Sequence, residues 1–151
     1  MSNTIRELEH RDFFPWLDLY AGYADLLGTP LDDERALRVW SWLTDPGHPV
    51  EGLLAVDEEG AAIGLAHFHR FTRPLENDHG CFIDELYVAE SSRQSGVGTA
   101  LVEAVHERAA AQGCSVVRWL LTEESEAARA LYDRLGTREP WETYQMPVRA
   151  S

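Results

Sequence analysis

The sequence predicts one domain of the α+β class, α/β in some schemes, in which a mixed sheet carries helices against it. Three observations lead there. Apolar periodicity switches between about 3.6 and 2 along the chain, in the order β-α-α-β-β-β-α-β-α-β. Glycines punctuate the helix ends, at Gly28, Gly113 and Gly136. The length, 151 residues, suits a single domain spanning 1–151, with no linker, repeat or low-complexity tract.

Each element follows from its residues. Ile5–Leu8 reads as a short first strand. Asp12 is placed to cap a helix with Phe13, Trp16, Leu17, Tyr20, Ala24 and Leu27 on its apolar stripe. Thr29 and Pro30 then read as the cap and first position of a second helix, with Asp32, Asp33 and Glu34 in its first turn and Ala36, Leu37, Trp40 and Leu43 on its stripe. The stretches GLLAVD and AAIGLAHFHRF read as strands joined by a hairpin turn at EEG, 58–60. A polar loop is expected over 72–80 and a strand over 81–88. The loop SSRQSGVG leads to a helix from Thr99 to about Gln112. A strand over 115–122, a helix from Ser125 to Leu135 and a last strand over 141–146 complete the pattern.

Charge narrows the partners. The net charge is −13, with no lysine in the chain. Residues 1–92 hold 18 acids against 6 arginines, residues 93–151 hold 8 against 7. An acidic half disfavours nucleic acid and anionic membrane and suits a cationic small molecule or basic peptide; it also serves solubility. The apolar runs are too short to span a bilayer, and the N-terminus lacks a secretory pattern, so a cytoplasmic location is expected. Cys81 and Cys114 have no metal-ligand spacing and read as small apolar side chains.

The stretch ESSRQSGVGTALVEAV carries the chemistry. From Ser91 to Val102 there is no acid, in a chain with 26. Arg93 stands just ahead of Gly96 and Gly98, and a helix follows. A helix N-terminus presents free N–H groups and the positive end of a dipole, which suit a phosphate or pyrophosphate. A Walker loop is excluded by the absence of lysine. A dinucleotide fingerprint fails at Leu101, and Ala89 to Gln94 separate the glycines from their strand.

Arg93-x-x-Gly96-x-Gly98 fits Q/R-x-x-G-x-G/A, and this stretch resembles the GNAT superfamily of N-acetyltransferases. FIDELYVAESSRQSGVGTALVEAV is similar to that superfamily's central strand, pyrophosphate loop and helix; VVRWLLTEESEAARALYDRLG is similar to its next strand and helix. In the pattern N-x-x-A-x-x-x-Y, Ala128 and Tyr132 match, while Ser125 stands in place of asparagine. The clear match covers roughly 81–136. The resemblance implies the GNAT fold, with a mixed, mostly antiparallel central sheet flanked by helices, and transfer of an acetyl group from acetyl-CoA directly to a primary amine. It implies that the backbone of Gln94, Ser95, Gly96, Val97, Gly98 and Thr99 takes the CoA pyrophosphate beside Arg93. Leu86, Tyr87 and Val88 would hold the pantetheine and acetyl arm, and Ser125, Ala128 and Arg129 would lie on the cofactor side. A homodimer is common for the fold. The rival readings are a CoA-binding module without turnover and a different acyl donor.

Direct transfer needs an amine that has lost its proton, a stabilised carbonyl oxygen and a proton for the thiolate. The resemblance assigns that last role to Tyr132; on the residues alone Tyr132 belongs to its helix's apolar stripe. Asp84 and Glu85 are the candidate proton acceptors. Strand alternation puts them on opposite faces, Asp84 with Leu86 and Val88. Asp84 is placed first because it aligns with the strand carboxylate proposed as base in polyamine-type members. His67 and His69 share a face, but no third ligand stands at a telling spacing, so no metal is expected and the pair reads as structural or as part of the acceptor site. Trp16, Tyr20, Tyr23, Trp40 and Trp42 read as core rather than a cage, with one or two of them candidates to line the acceptor pocket.

Overall fold

The computed structural model describes residues 3–121 and 126–149. The chain divides into two compact units, Met1–Leu120 and Leu121–Ser151. The first unit holds β1 (Thr4–Glu7), α1 (Phe13–Leu27), α2 (Asp33–Leu43), β2 (Glu51–Val56), β3 (Ala62–Arg73), β4 (Asp78–Val88), α3 (Val97–Ala111) and β5 (Val116–Trp119). The strands form one sheet in the order β1-β2-β3-β4-β5. Neighbours are antiparallel except β4 and β5, which run parallel across α3.

The two sheet faces are told apart by alternation along β3. Leu65 joins Trp16, Leu19, Tyr20, Tyr23 and Ala36 in the core between the sheet and the first two helices. Gly64, one position away, faces Val97 and Leu101 of α3. α1 therefore covers one face and α3 the other. The aromatic side chains of α1 pack in series: Trp16 stacks on Tyr20 at 5.0 Å, and Tyr20 on Tyr23 at 6.2 Å.

Several local expectations are corrected. Asp12 does not cap α1 with its side chain; the carboxylate is turned inward, takes a bidentate pair from Arg6 at 2.7 and 2.9 Å, and accepts from the Glu9 N–H. α2 starts later than Thr29-Pro30, because Asp32 caps it by accepting from the Arg35 N–H at 2.8 Å. α3 begins at Val97, so Gly98 and Thr99 belong to its first turn and Gly96 is its N-cap. The stretch 72–80 is largely strand. β3 and β4 pair from Gly64↔Val88 out to Arg73↔Asp78, leaving a tight turn over 74–77 with Asn77 at φ 57°. Asparagine tolerates that left-handed conformation, so the polar residues there mark a hairpin tip and paired strand ends.

The second unit contains α4, Glu126–Leu135, and then no regular structure among its described residues. The last strand expected over 141–146 is absent. Of its apolar residues, Tyr144 and Met146 would share a face and Trp141 would fall on the other, and all three are exposed. Among the described residues no helix is long and apolar enough to cross a membrane.

Candidate active site

The site begins with an irregularity in β4. His67 pairs with Glu85 and Phe68 with Ile83, so Asp84 is an extra residue, a β-bulge. An extra residue resets alternation. Asp84 and Glu85, expected on opposite faces, both project to the α1 face, while Leu86 and Val88 lie opposite Ala66 and Gly64 on the α3 face. Asp84 therefore does not share a face with Leu86 and Val88.

Each carboxylate meets one histidine of β3. Asp84 Oδ2 lies 2.7 Å from His69 Nδ1, and Glu85 Oε1 lies 2.8 Å from His67 Nδ1. The surroundings of the two pairs differ. The His67 side chain is 1% exposed and Glu85 27%, against 36% for His69 and 33% for Asp84. The Trp16 indole N–H donates to His67 Nε2 at 3.0 Å. Indole nitrogen only donates, so Nε2 is the accepting nitrogen and the ring hydrogen sits on Nδ1, pointing at Glu85. Tyr20 donates its hydroxyl to the same carboxylate, 2.9 Å from Oε1 and 3.1 Å from Oε2. Burial, and after it the Glu85 charge, pushes the Tyr20 phenol far above its ordinary range, which keeps it a donor. Trp16 and Tyr20 are thus core residues, as their spacing indicates, His67 is buried with them, and the polar ends of Tyr20 and His67 converge on one carboxylate.

β4 also offers a free edge. Its pairing with β5 runs from Gly80↔Val116 to Ile83↔Trp119 and stops beside the bulge. Among the described residues no strand pairs with that edge from Asp84 to Val88. Apart from the Val88 carbonyl, which Arg93 occupies, the backbone groups there that point away from β3 have no strand partner among the described residues. The edge leads straight into the glycine loop.

The loop turns through a short 3₁₀ segment, Glu90–Ser92, and two left-handed residues, Gln94 at φ 61° and Gly96 at φ 88°. A Cβ at Gly96 would meet nothing within 4 Å, so its conformation, not crowding, calls for glycine. The N–H groups of Val97, Gly98 and Thr99 head α3 with no intrahelical acceptor, and no acid stands in the first turn. Unpaired N–H groups at the positive end of a helix dipole have the chemistry that suits an anion. Arg93 folds back over the strand end: its Nε donates to the Val88 carbonyl at 3.0 Å and its guanidinium lies 5.5 Å from the centre of the Tyr87 ring. It fastens the loop to β4 and leaves its terminal nitrogens for an anion. Ser95 hydroxyl donates to the Ser92 carbonyl, tightening the same turn. Tyr87 reaches across to α1, where Gly22 makes room for it; a Cβ at Gly22 would stand 2.6 Å from the Tyr87 hydroxyl.

The structure thus brings together Asp84, Glu85, Leu86, Tyr87, Val88 and the residues from Arg93 to Thr99. Ala128, Arg129 and Tyr132 lie on α4 in the second unit, with Tyr132 half-buried and Arg129 exposed. Ser125 lies outside the described residues. The Tyr20 and Trp16 contacts were not foreseen. Their signal was present in the i, i+4 spacing of a Trp and a Tyr on the helix covering an H-x-H strand. Among the described residues no three His, Cys, Asp or Glu side chains gather in a metal-binding group.

Comparison with known proteins identifies the family and the fold. The family model described as Acetyltransferase (GNAT) family covers residues 4–137. The D-amino-acid N-acetyltransferase of Saccharomyces cerevisiae is 30% identical over 133 residues, 87% of this chain and 83% of that protein. The L-methionine sulfoximine/L-methionine sulfone acetyltransferase of Pseudomonas paraeruginosa is 34% identical over 144 residues, 90% of this chain and 80% of that one. Among solved structures, AAC(6')-Iy in complex with a bisubstrate analogue of CoA and acetylneamine superposes with a TM-score of 0.80 at 20% identity, covering 99% of this chain and all of that one, a likeness of fold. With the family model spanning most of its length, the chain belongs to the acetyltransferase (GNAT) family and is an acyltransferase.

Proposed function

We propose that the protein transfers the acetyl group of acetyl-CoA directly to the primary amine of a small molecule. The observation that carries this reading is the continuous path from the free edge of β4, beside two carboxylates, into the acid-free, glycine-led start of α3. An extended arm pairs along the β4 edge at Leu86, Tyr87 and Val88. The pyrophosphate takes the N–H groups of Val97, Gly98 and Thr99, with Arg93 at the rim. The thioester then lies at the bulge, where Asp84 and Glu85 present negative charge to an arriving ammonium. Tyr132 is assigned as the donor to the departing thiolate.

The acceptor class follows from charge and from kinship. The sheet face beside α1 is acidic, which favours a cationic amine. The similar yeast and Pseudomonas proteins are named for acetylating D-amino acids and methionine derivatives, and other relatives for acetylating aminoglycosides. All are amines of small molecules. The test has two steps. Calorimetry should show acetyl-CoA binding that Gly98→Val weakens strongly while the fold persists. A panel of D- and L-amino acids, methionine sulfone, aminoglycosides and polyamines, read by thiol release and product mass, should then give an acetylated amine. Tyr132→Phe should lower kcat roughly 10²-fold with little loss of stability. Absence of acetyl-CoA binding sinks the reading; binding without release for any amine points to a module that holds CoA without turnover.

A further inference from the structure

The two histidine–carboxylate pairs on the α1 face differ in what each leaves open. In the inner pair, His67 Nε2 is filled by the Trp16 N–H and the ring is 1% exposed. Its Nδ1 hydrogen is given to Glu85. No lone pair remains on that ring for a substrate. Glu85 Oε1 already accepts from both His67 and Tyr20, so a proton there would face two donors. In the outer pair, Asp84 accepts the Nδ1 hydrogen of His69 at 2.7 Å. A neutral imidazole with its hydrogen on Nδ1 carries a lone pair on Nε2, and among the described residues that nitrogen meets no partner.

We propose that His69 Nε2, oriented by Asp84, takes the proton of the acceptor amine, and that the His67–Glu85 pair is a fixed positioning support. The proposal rests on the acetyl-transfer reading above. A carboxylate that fixes one imidazole nitrogen and frees the other is the usual architecture of a base working near neutral pH. The groups around the ring agree with it. Asp84 and Glu85 come from β4, His67 from β3 and Tyr20 from α1, while Phe82 lies 5.9 Å away centre to centre. Arg118 of β5 stands opposite Phe82, itself opposite His69, with its guanidinium 5.1 Å over the Phe71 ring. The imidazolium formed would stand against the Asp84 carboxylate.

The step balances as follows. An ammonium R–NH₃⁺ gives one proton to His69 Nε2. The freed lone pair attacks the thioester carbon, forming the N–C bond. The C–S bond breaks, and a second nitrogen proton reaches the leaving thiolate. The products are the amide and CoA thiol, and His69 returns its proton to water.

The test is the pH dependence of kcat/KM with the amine identified by the screen. His69→Asn keeps an amide N–H for Asp84 but has no distal nitrogen. It should lose the acid-side limb of the profile and fall roughly 10²-fold at neutral pH, with the deficit shrinking as pH rises and the amine deprotonates in solution. Acetyl-CoA affinity should not change. Free imidazole should restore part of the activity of His69→Ala, which a merely structural role would not allow. The wild-type limb should show the strong temperature dependence of an imidazole, not the weak one of a carboxylate. A turning-over wild type with an unaltered His69→Asn profile sinks this assignment alone, and so does a carboxylate-like limb abolished by Glu85→Gln. A wild type that binds acetyl-CoA and releases no thiol with any amine sinks the acetyl-transfer reading, and this assignment with it.

Discussion

Replacing Tyr20 by Phe isolates what one hydroxyl does for the Glu85 carboxylate. The ring would stay stacked on Trp16 at 5.0 Å and edge-on to His67 at 5.1 Å, so packing is preserved. What is lost is one O–H shared between Glu85 Oε1 and Oε2. A hydrogen bond to a charged group contributes about 1.5–3 kcal/mol. Glu85 keeps about a quarter of its side chain in water, which can replace part of the contact, so the lower end, about 1.5 kcal/mol, is expected. For a chain of this size that corresponds to a fall of roughly 3–6 °C in Tm. The loss should be flat from pH 6 to 9. The Tyr20 phenol is raised in the folded state, so its contribution is complete below the ordinary phenol value of about 10 and is lost only above it. Urea denaturation gives the stability change if the m-value is unchanged. A cycle with Glu85→Gln should return a coupling of at least about 0.5 kcal/mol. An unchanged midpoint, or strict additivity, would refute the claim that Tyr20 holds Glu85.

Two further outcomes follow from the packing and the ion pairs. Gly64→Ala would place a methyl 3.0 Å from Leu101 Cδ1, 3.1 Å from the Tyr87 carbonyl oxygen and 3.2 Å from Val97 Cγ1, so it should cost about 1–3 kcal/mol and, by pushing the start of α3 off β4, weaken acetyl-CoA binding in calorimetry. Asp12 is held below the usual carboxylate range first by its hydrogen bonds from Arg6; its contribution is complete above about pH 4 and disappears as pH falls through the folded value, so Asp12→Asn should cost about 1.5–3 kcal/mol at pH 7 and a shrinking amount below pH 4 in chemical denaturation.

Much of the molecule was legible in the residues, and the reasons differ by region. The alternation in AAIGLAHFHRF and the 3.6 period of α1, α3 and α4 placed those elements, because burial on one face leaves a periodic trace. The glycine loop was legible through an absence, twelve residues without an acid in an acidic chain. What failed was local. Thr29 and Asp32 both look like caps, and only the chain's path into α2 decides between them. The polar run 72–80 looked like a loop because strand ends at a hairpin tip need not be apolar. Asp12 looked like a cap because its role depends on Arg6, six residues upstream on another element.

The bulge is the instructive case. No period in FIDELYV announces it, since Asp84 and Glu85 are both acids and either face could hold either. Yet pairing on both sides of Asp84 is regular: Ile83 opposes Phe68 and Glu85 opposes His67. The sheet would close without Asp84. A surplus residue in the middle of a strand leaves a gap in the ladder and a local bend, and it persists where it aims a side chain. Here it aims a carboxylate at His69, next to a second carboxylate already committed to His67 and Tyr20. The parallel pairing with β5 ends at the same point, Ile83↔Trp119, which bares the β4 edge just where the two acids stand. The bulge and the end of the β5 pairing therefore put the unpaired stretch of the β4 edge and the two acids at the same point. Both features lie in residues 83–85 of one strand.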